Sequence, residues 1–157
     1  MISLAKAASR DLGHAGIFIE HATLTESDLD WLCDVERLTL WNVSIPKHFL
    51  RKLSALWWID WRGGNANQGI DQIEEKDGLR YLSLNQIRGL SDLSFINKLM
   101  HLEMLNLYGL SKVTLLPSMI ASETLRRVQL GQMKNLTSIG PVLEAPNLEE
   151  IQPCLSG

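Results

Sequence analysis

Cysteine is scarce in this sequence: two in 157 residues, Cys33 and Cys154, far apart and in no metal-type pair. That speaks against a disulfide scaffold and fits a reducing compartment. Long apolar runs are missing as well. No stretch approaches the ~18–20 apolar residues of a membrane span, and the first residues lack the apolar run of roughly 7–15 that a signal peptide needs. The expectation is a cytoplasmic protein without membrane contact. Positive charge is not in excess either: 15 Lys and Arg stand against 18 Asp and Glu, a formal charge of -3. The basic footprint of a general nucleic-acid binder is therefore absent.

Catalytic motifs are equally sparse. The four histidines, His14, His21, His48 and His101, fall in no His-x-x-x-His frame, and there is no Cys-x-x-Cys pair. Two ligands meeting across a turn, such as His14 and His21, would not make a metal site. There is no Gly-x-Ser-x-Gly elbow and no dinucleotide fingerprint after a strand. The Gly-rich stretch from Arg62 to Gly69 lacks the Gly-Lys-Ser/Thr ending of a phosphate-cradling loop and reads as the most flexible part of the chain. Cys154 has no base placed beside it. Asn42-Val43-Ser44 and Asn135-Leu136-Thr137 match a glycosylation sequon, but no secretion signal supports them. The expectation is no enzyme, no metal and no cofactor, with a cryptic hydrolase as the alternative.

What the chain has is leucine, 28 of 157 residues, and an excess of that kind asks for a repeat search. A triplet Leu-x-x-Leu-x-Leu recurs at Leu79, Leu82, Leu84, then Leu102, Leu105, Leu107, then Leu125, Val128, Leu130. Leu56, Ile59, Trp61 and Val35, Leu38, Leu40 fit the same frame, as do a degenerate last copy at Leu148, Ile151 and a first at Ile17, Ile19. The centres are 17, 38, 59, 82, 105, 128 and 151, spaced by 21, 21, 23, 23, 23 and 23 residues. Outside the triplet, Leu90, Leu93, Ile96 recur as Val113, Leu116, Met119 and as Leu136, Ile139, Val142. Pro and Gly interruptions forbid the sustained 3.6-residue period that a helical bundle would need.

On these residues the chain resembles the leucine-rich-repeat family, with short bacterial-type units, over roughly residues 14–155. The resemblance implies an α/β solenoid: a curved parallel sheet of about seven short strands on the concave face, with short helices, 3-10 turns and loops on the convex face. It implies one domain over 1–157. Residues 1–13, with Leu4, Ala5, Ala7, Ala8 and Leu12, read as a helix that caps the first repeat. The family's consensus Asn after the strand is replaced by Ile87, Leu110 and Met133, so loop backbone groups must find other partners. The linking segments Thr25–Leu32 and Pro46–Leu53 look helical, with Thr25 as N-cap and Pro46 at a tolerated first position. An open C-terminal sheet edge invites pairing, which Pro153 in the last strand would blunt.

Strand alternation then places three residues of each unit outward. Five of the ten aromatics fall on these 21 positions, where an even spread would put about one: Phe18, Trp41, Trp58, Tyr81 and Tyr108. Arg37, Arg62 and Arg127, with Met104, Asn85 and Asp60, accompany them, and Lys is absent. Trp, Tyr and Arg enriched over Lys is the composition of a protein-binding surface. Cross-strand aromatic packing that merely steadies the sheet is the competing account, and the two are compatible. The charges nearly cancel, Arg37, Arg62 and Arg127 against Glu20, Asp60 and Glu150, which suits a protein partner better than a phosphate backbone. Asp60 is placed to orient Arg62.

The family's usual work is protein recognition on the concave sheet. The expected function is a stoichiometric, monomeric protein-binding module acting by occupancy, of the kind of a bacterial immunity-type inhibitor that neutralises a toxin or enzyme. An adaptor bridging two proteins, using a second surface around Trp31 and Phe49 on the convex side, is the alternative.

Overall fold

Each unit has two inward apolar residues, too few to bury alone, so units must stack for those side chains to leave water. The structure, a computed structural model, describes residues 2–153 and forms a solenoid built on one eight-stranded sheet in the order β1 to β8. The strands are β1 (Ser9–Asp11), β2 (Ile17–Thr23), β3 (Arg37–Ser44), β4 (Trp58–Arg62), β5 (Tyr81–Asn85), β6 (Met104–Tyr108), β7 (Arg127–Gly131) and β8 (Glu150–Pro153). From β2 onward every neighbour pair is parallel. Ile17, Leu38, Ile59, Leu82, Leu105, Val128 and Ile151 pair in register as one row across the sheet. Ile19, Leu40, Trp61, Leu84, Leu107 and Leu130 make the next row. Nearly all of these are sealed in the core, Trp61 included.

The return segments close the core from the other side. Leu90, Leu93, Ile96, Val113, Leu116, Met119 and Val142 are buried, whereas Ile139 is exposed because no further turn among the described residues covers it. Thr25–Leu32 is helical, a 3-10 turn (Glu26–Asp28) running into α2 (Leu29–Leu32), with Thr25 and Asp28 forming a capping box. Pro46–Leu53 is not the expected helix: only Leu50–Lys52 forms a 3-10 turn. His48 is left-handed there (φ 62°), and the buried Gln72 Oε1 accepts from the N–H groups of both Phe49 (2.9 Å) and Leu50 (3.2 Å). Other side chains reach carbonyls of the preceding turn: Lys76 Nζ donates to Leu53, Thr124 Oγ1 to Leu102, Asn135 to Ser111 and Asn147 to Glu123.

Two more expectations fail. Residues 1–13 do not form a capping helix. A single turn, α1 (Leu4–Ala7), precedes β1, which pairs antiparallel with β2 and makes an eighth strand. Leu4 is 89% exposed and Leu12 also lies open, so no apolar face exists for a longer helix; positive φ at Gly13 and Gly16 turns the chain back instead. The Arg62–Gly69 stretch is ordered: Gly63 N–H donates to Asn85 O, Ala66 N–H to Arg88 O and Arg88 N–H to Gly64 O. Asn65 and Gln68 close a capping box there. Cys154, expected on the outward face, lies outside the described residues.

A regularity joins strands to loops. The residue four places beyond each of the first six repeat centres is left-handed: His21, Asn42, Gly63, Gln86, Gly109 and Gln132, with φ between 51° and 67°. Their spacing repeats the period; His21 and Asn42 bend β2 and β3 ahead of their last two residues, whereas the other four lie just past their strands. At Gly63 a side chain would also meet the Trp41 indole, 2.9 Å from where its Cβ would sit.

Candidate functional site

The open face of the sheet carries three cross-strand rows. Along the strand starts run Arg37, Trp58, Tyr81, Met104, Arg127 and Glu150; along the middle, Phe18, Thr39, Asp60, Ser83, Asn106, Gln129 and Gln152. The strand ends bear Glu20, Trp41, Arg62, Asn85, Tyr108 and Gly131. All eleven candidate residues, Phe18, Arg37, Trp41, Trp58, Asp60, Arg62, Tyr81, Asn85, Met104, Tyr108 and Arg127, therefore lie on this one face. They are not equally accessible. Asp60, with Thr39 and Ser83, is buried as a floor between the taller rows, at 6% exposure. Trp41 is open at 42%, and Trp58, Tyr81, Met104 and Tyr108 are half-buried.

Trp58 and Tyr81 are direct neighbours on β4 and β5, and their rings stack at 4.7 Å between centroids and 6° between planes. Burial raises the Tyr81 phenol above its ordinary pKa and the nearby Asp60 carboxylate adds to this, against hydrogen bonds from Ser83 and Asn106 and the charge of Arg62. The phenol reaches over the polar floor, close to Asp60, Ser83 and Asn106. Arg62 donates Nε (2.9 Å) and Nη2 (2.7 Å) to a single oxygen, Asp60 Oδ2, which fixes the guanidinium against the sheet. The other oxygen, Asp60 Oδ1, and Asn106 Oδ1 are buried without a hydrogen-bond partner. Buried acceptors without a partner are uncommon in folded proteins.

Other candidates are held by neighbours. Trp41 packs on His21 with centroids 5.0 Å apart, and Phe18 lies under Arg10, which also pairs with Glu20 at 3.0 Å. Arg127 pairs with Glu150 at 3.7 Å. Arg37 does not stand free: it lies over the ring of Trp57 at 4.8 Å, and Arg80 covers the same ring at 5.0 Å.

Trp57 and Arg80 escaped the outward list because they sit one residue before their strands. The repeat frame reveals them: Trp57, Arg80, Glu103, Arg126 and Glu149 share one position, spaced by the period. Ion pairs link Arg80 to Glu103 and Arg126 to Glu149 along this edge. On the far side, Phe49 is fully buried and so takes no part in the second surface expected around Trp31 and Phe49, while Trp31 is half-buried with its indole donating to Asp28 Oδ1 at 2.7 Å. Apolar exposure there falls elsewhere, at Leu115, Ile120, Ile139 and Leu143. Among the described residues no three His, Cys, Asp or Glu side chains converge as a metal site, and no helix is long and apolar enough to cross a membrane.

Fold and face together define an α/β solenoid with an aromatic and polar sheet surface. No family model matches the chain and no curated protein matches it. Among solved structures, an internalin from Listeria monocytogenes is similar to it at a TM-score of 0.39 and 18% identity, over 84% of this chain and 52% of that one. The chain thus spans about half the length of that internalin.

Proposed function

We propose that this protein is a non-enzymatic leucine-rich-repeat binding module that engages another protein through the open sheet face and acts by occupancy. The observation that carries the reading is the Trp58–Tyr81 stack, half-exposed on the open sheet face. Stacked aromatics present large, rigid contact area at low entropic cost, and such residues dominate binding energy at interface centres. The finer form of the proposal is a stoichiometric inhibitor of the immunity type, bound one-to-one to a toxin or enzyme inside the cell.

The test is purification with a bound partner, followed by Trp58→Ala and Tyr81→Ala. Each truncation should weaken binding by at least ~2 kcal/mol, roughly 30-fold, as read by calorimetry on the purified pair. Wild-type affinity in both variants places the interface elsewhere. The adaptor alternative draws on Ile120 and Leu143, which hold equivalent places in consecutive turns and are both exposed. It requires two separable partners, one indifferent to Trp58 and Tyr81.

A further inference from the structure

Three cations at or next to the strand starts are neutralised by carboxylates, Arg80 by Glu103, Arg126 by Glu149 and Arg127 by Glu150, while Arg37 lies over the Trp57 ring. The loops just beyond the strand ends differ. A hollow of about 500 Å³ opens there, lined by Gln86, Arg88, Tyr108, Ser111, Gln132 and Lys134 among others, with no carboxylate in its wall. Arg88 and Lys134 are exposed, and among the described residues neither side chain has an ion pair or hydrogen bond.

We propose that this hollow is a carboxylate-binding subsite, taking an acidic side chain of the protein that docks on the adjoining sheet face. It rests on the reading of the chain as a protein-binding module, and Tyr108 belongs to both surfaces. Arg88, Ser111 and Lys134 occupy the same place in three consecutive turns. With strands about 4.8 Å apart, the backbones of Arg88 and Lys134 lie about 10 Å apart, and both line the hollow with Ser111 between them, within reach of one anion. The Arg88 backbone is pinned on both sides, to Gly64 O and from Ala66 N–H at 2.9 Å each, so its guanidinium is delivered from a fixed base. A guanidinium and an ammonium with no internal counter-charge favour an anion, and the Ser111 hydroxyl and Gln86 amide supply neutral donors. The row through this position reads Asn65, Arg88, Ser111, Lys134, with cations separated by neutral residues. That spacing suits discrete carboxylates of a protein segment, whereas a nucleic-acid backbone demands a continuous basic track.

The test is an NMR titration of the isotope-labelled full chain at low ionic strength with an N-acetylated tetraglutamate amide. Saturable shifts centred on Gly109, Ser111 and Lys134 are expected, fading with added salt. The Arg88→Gln/Lys134→Gln double variant, altered only at exposed side chains, should bind about tenfold or more weakly. A tetralysine peptide should produce no such shifts. Absence of saturable tetraglutamate binding, or equal binding by the double variant, overturns the subsite. Tighter binding of inorganic phosphate or of a thymidine oligonucleotide overturns the choice of a peptide carboxylate. Trp58→Ala should leave tetraglutamate binding unchanged, which separates the two proposals. Loss of partner binding in that variant with no tetraglutamate binding in wild type sinks the subsite alone. Tetraglutamate binding together with partner affinity indifferent to Trp58 and Tyr81 sinks the face reading alone.

Discussion

Asp28 shows how much a single side chain organises in this molecule. It is almost fully buried, yet its two oxygens receive the Thr25 N–H at 2.8 Å, the Trp31 indole at 2.7 Å and the Ser3 hydroxyl. Burial alone would raise its pKa, but these hydrogen bonds prevail and hold it below the ordinary carboxylate value. A folded-state pKa below the unfolded one means stability present above the unfolded value, about 3.9, and lost as pH falls through the folded value. Asp28→Asn should therefore lower the denaturant midpoint near neutrality and narrow its gap to wild type on acidification toward pH ~2. Chemical denaturation at several pH values measures this; parallel curves for the two proteins would show that the charge of Asp28 is not involved. The consequence is local but wide, because Ser3 brings the N-terminal turn onto the first linking segment through this one carboxylate. Tyr81 shows the opposite balance: burial outweighs its hydrogen bonds and raises its pKa.

A strand in this sheet matters through the rows it completes. Leu105 on β6 is fully buried between Leu82 and Val128, its in-register neighbours. Leu105→Ala should cost about 2–5 kcal/mol, the sum of lost transfer energy and a residual cavity, measured as the change in unfolding free energy. A cost under ~1 kcal/mol would mean the row closes up around the gap. Strand register was legible from the sequence because inward residues recur with a fixed period and a slip by one would turn every apolar side chain outward. Elements without that period were not. The β1 hairpin lacks an apolar face and depends on positive φ at Gly13 and Gly16. The Gly-rich stretch after Arg62 looks loose by composition, but its order comes from backbone bonds to the next turn, which composition does not encode. Phe49, expected on a convex surface with Trp31, lies in the core: Gln72 takes the N–H groups of Phe49 and Leu50, a long-range partnership that no local pattern encodes. The candidate face was readable to the extent that strand alternation governs it. Trp57 and Arg80, just outside the strands, required the repeat frame rather than the alternation.

For the whole molecule, stability is a chain of neighbour interfaces, so damage at one end should stay near that end. The N-terminal edge supplies the clearest case. Without β1, the N-terminal edge of β2 would present unpaired N–H and C=O groups, and edges of that kind recruit other strands. The antiparallel pairing of Ser9 with Ile19, Arg10 with Phe18 and Asp11 with Ile17 closes it, and Ala5 of α1 is buried against the same end. Deleting residues 1–11 should accelerate amide hydrogen exchange in β2 and β3 while leaving β5 to β7 near wild-type protection. The open edge should also make the protein associate with itself as concentration rises, visible by light scattering. Uniform loss of protection over all strands would mean that the sheet unfolds as a single cooperative unit, contrary to the nearest-neighbour picture. Unchanged exchange in β2 would mean that β1 adds nothing to the edge. A local response would leave the Trp58–Tyr81 stack on β4 and β5 in place, so the truncated chain should keep its partner. The edge that is closed to prevent association and the face that is open to permit it would then be separable parts of one sheet.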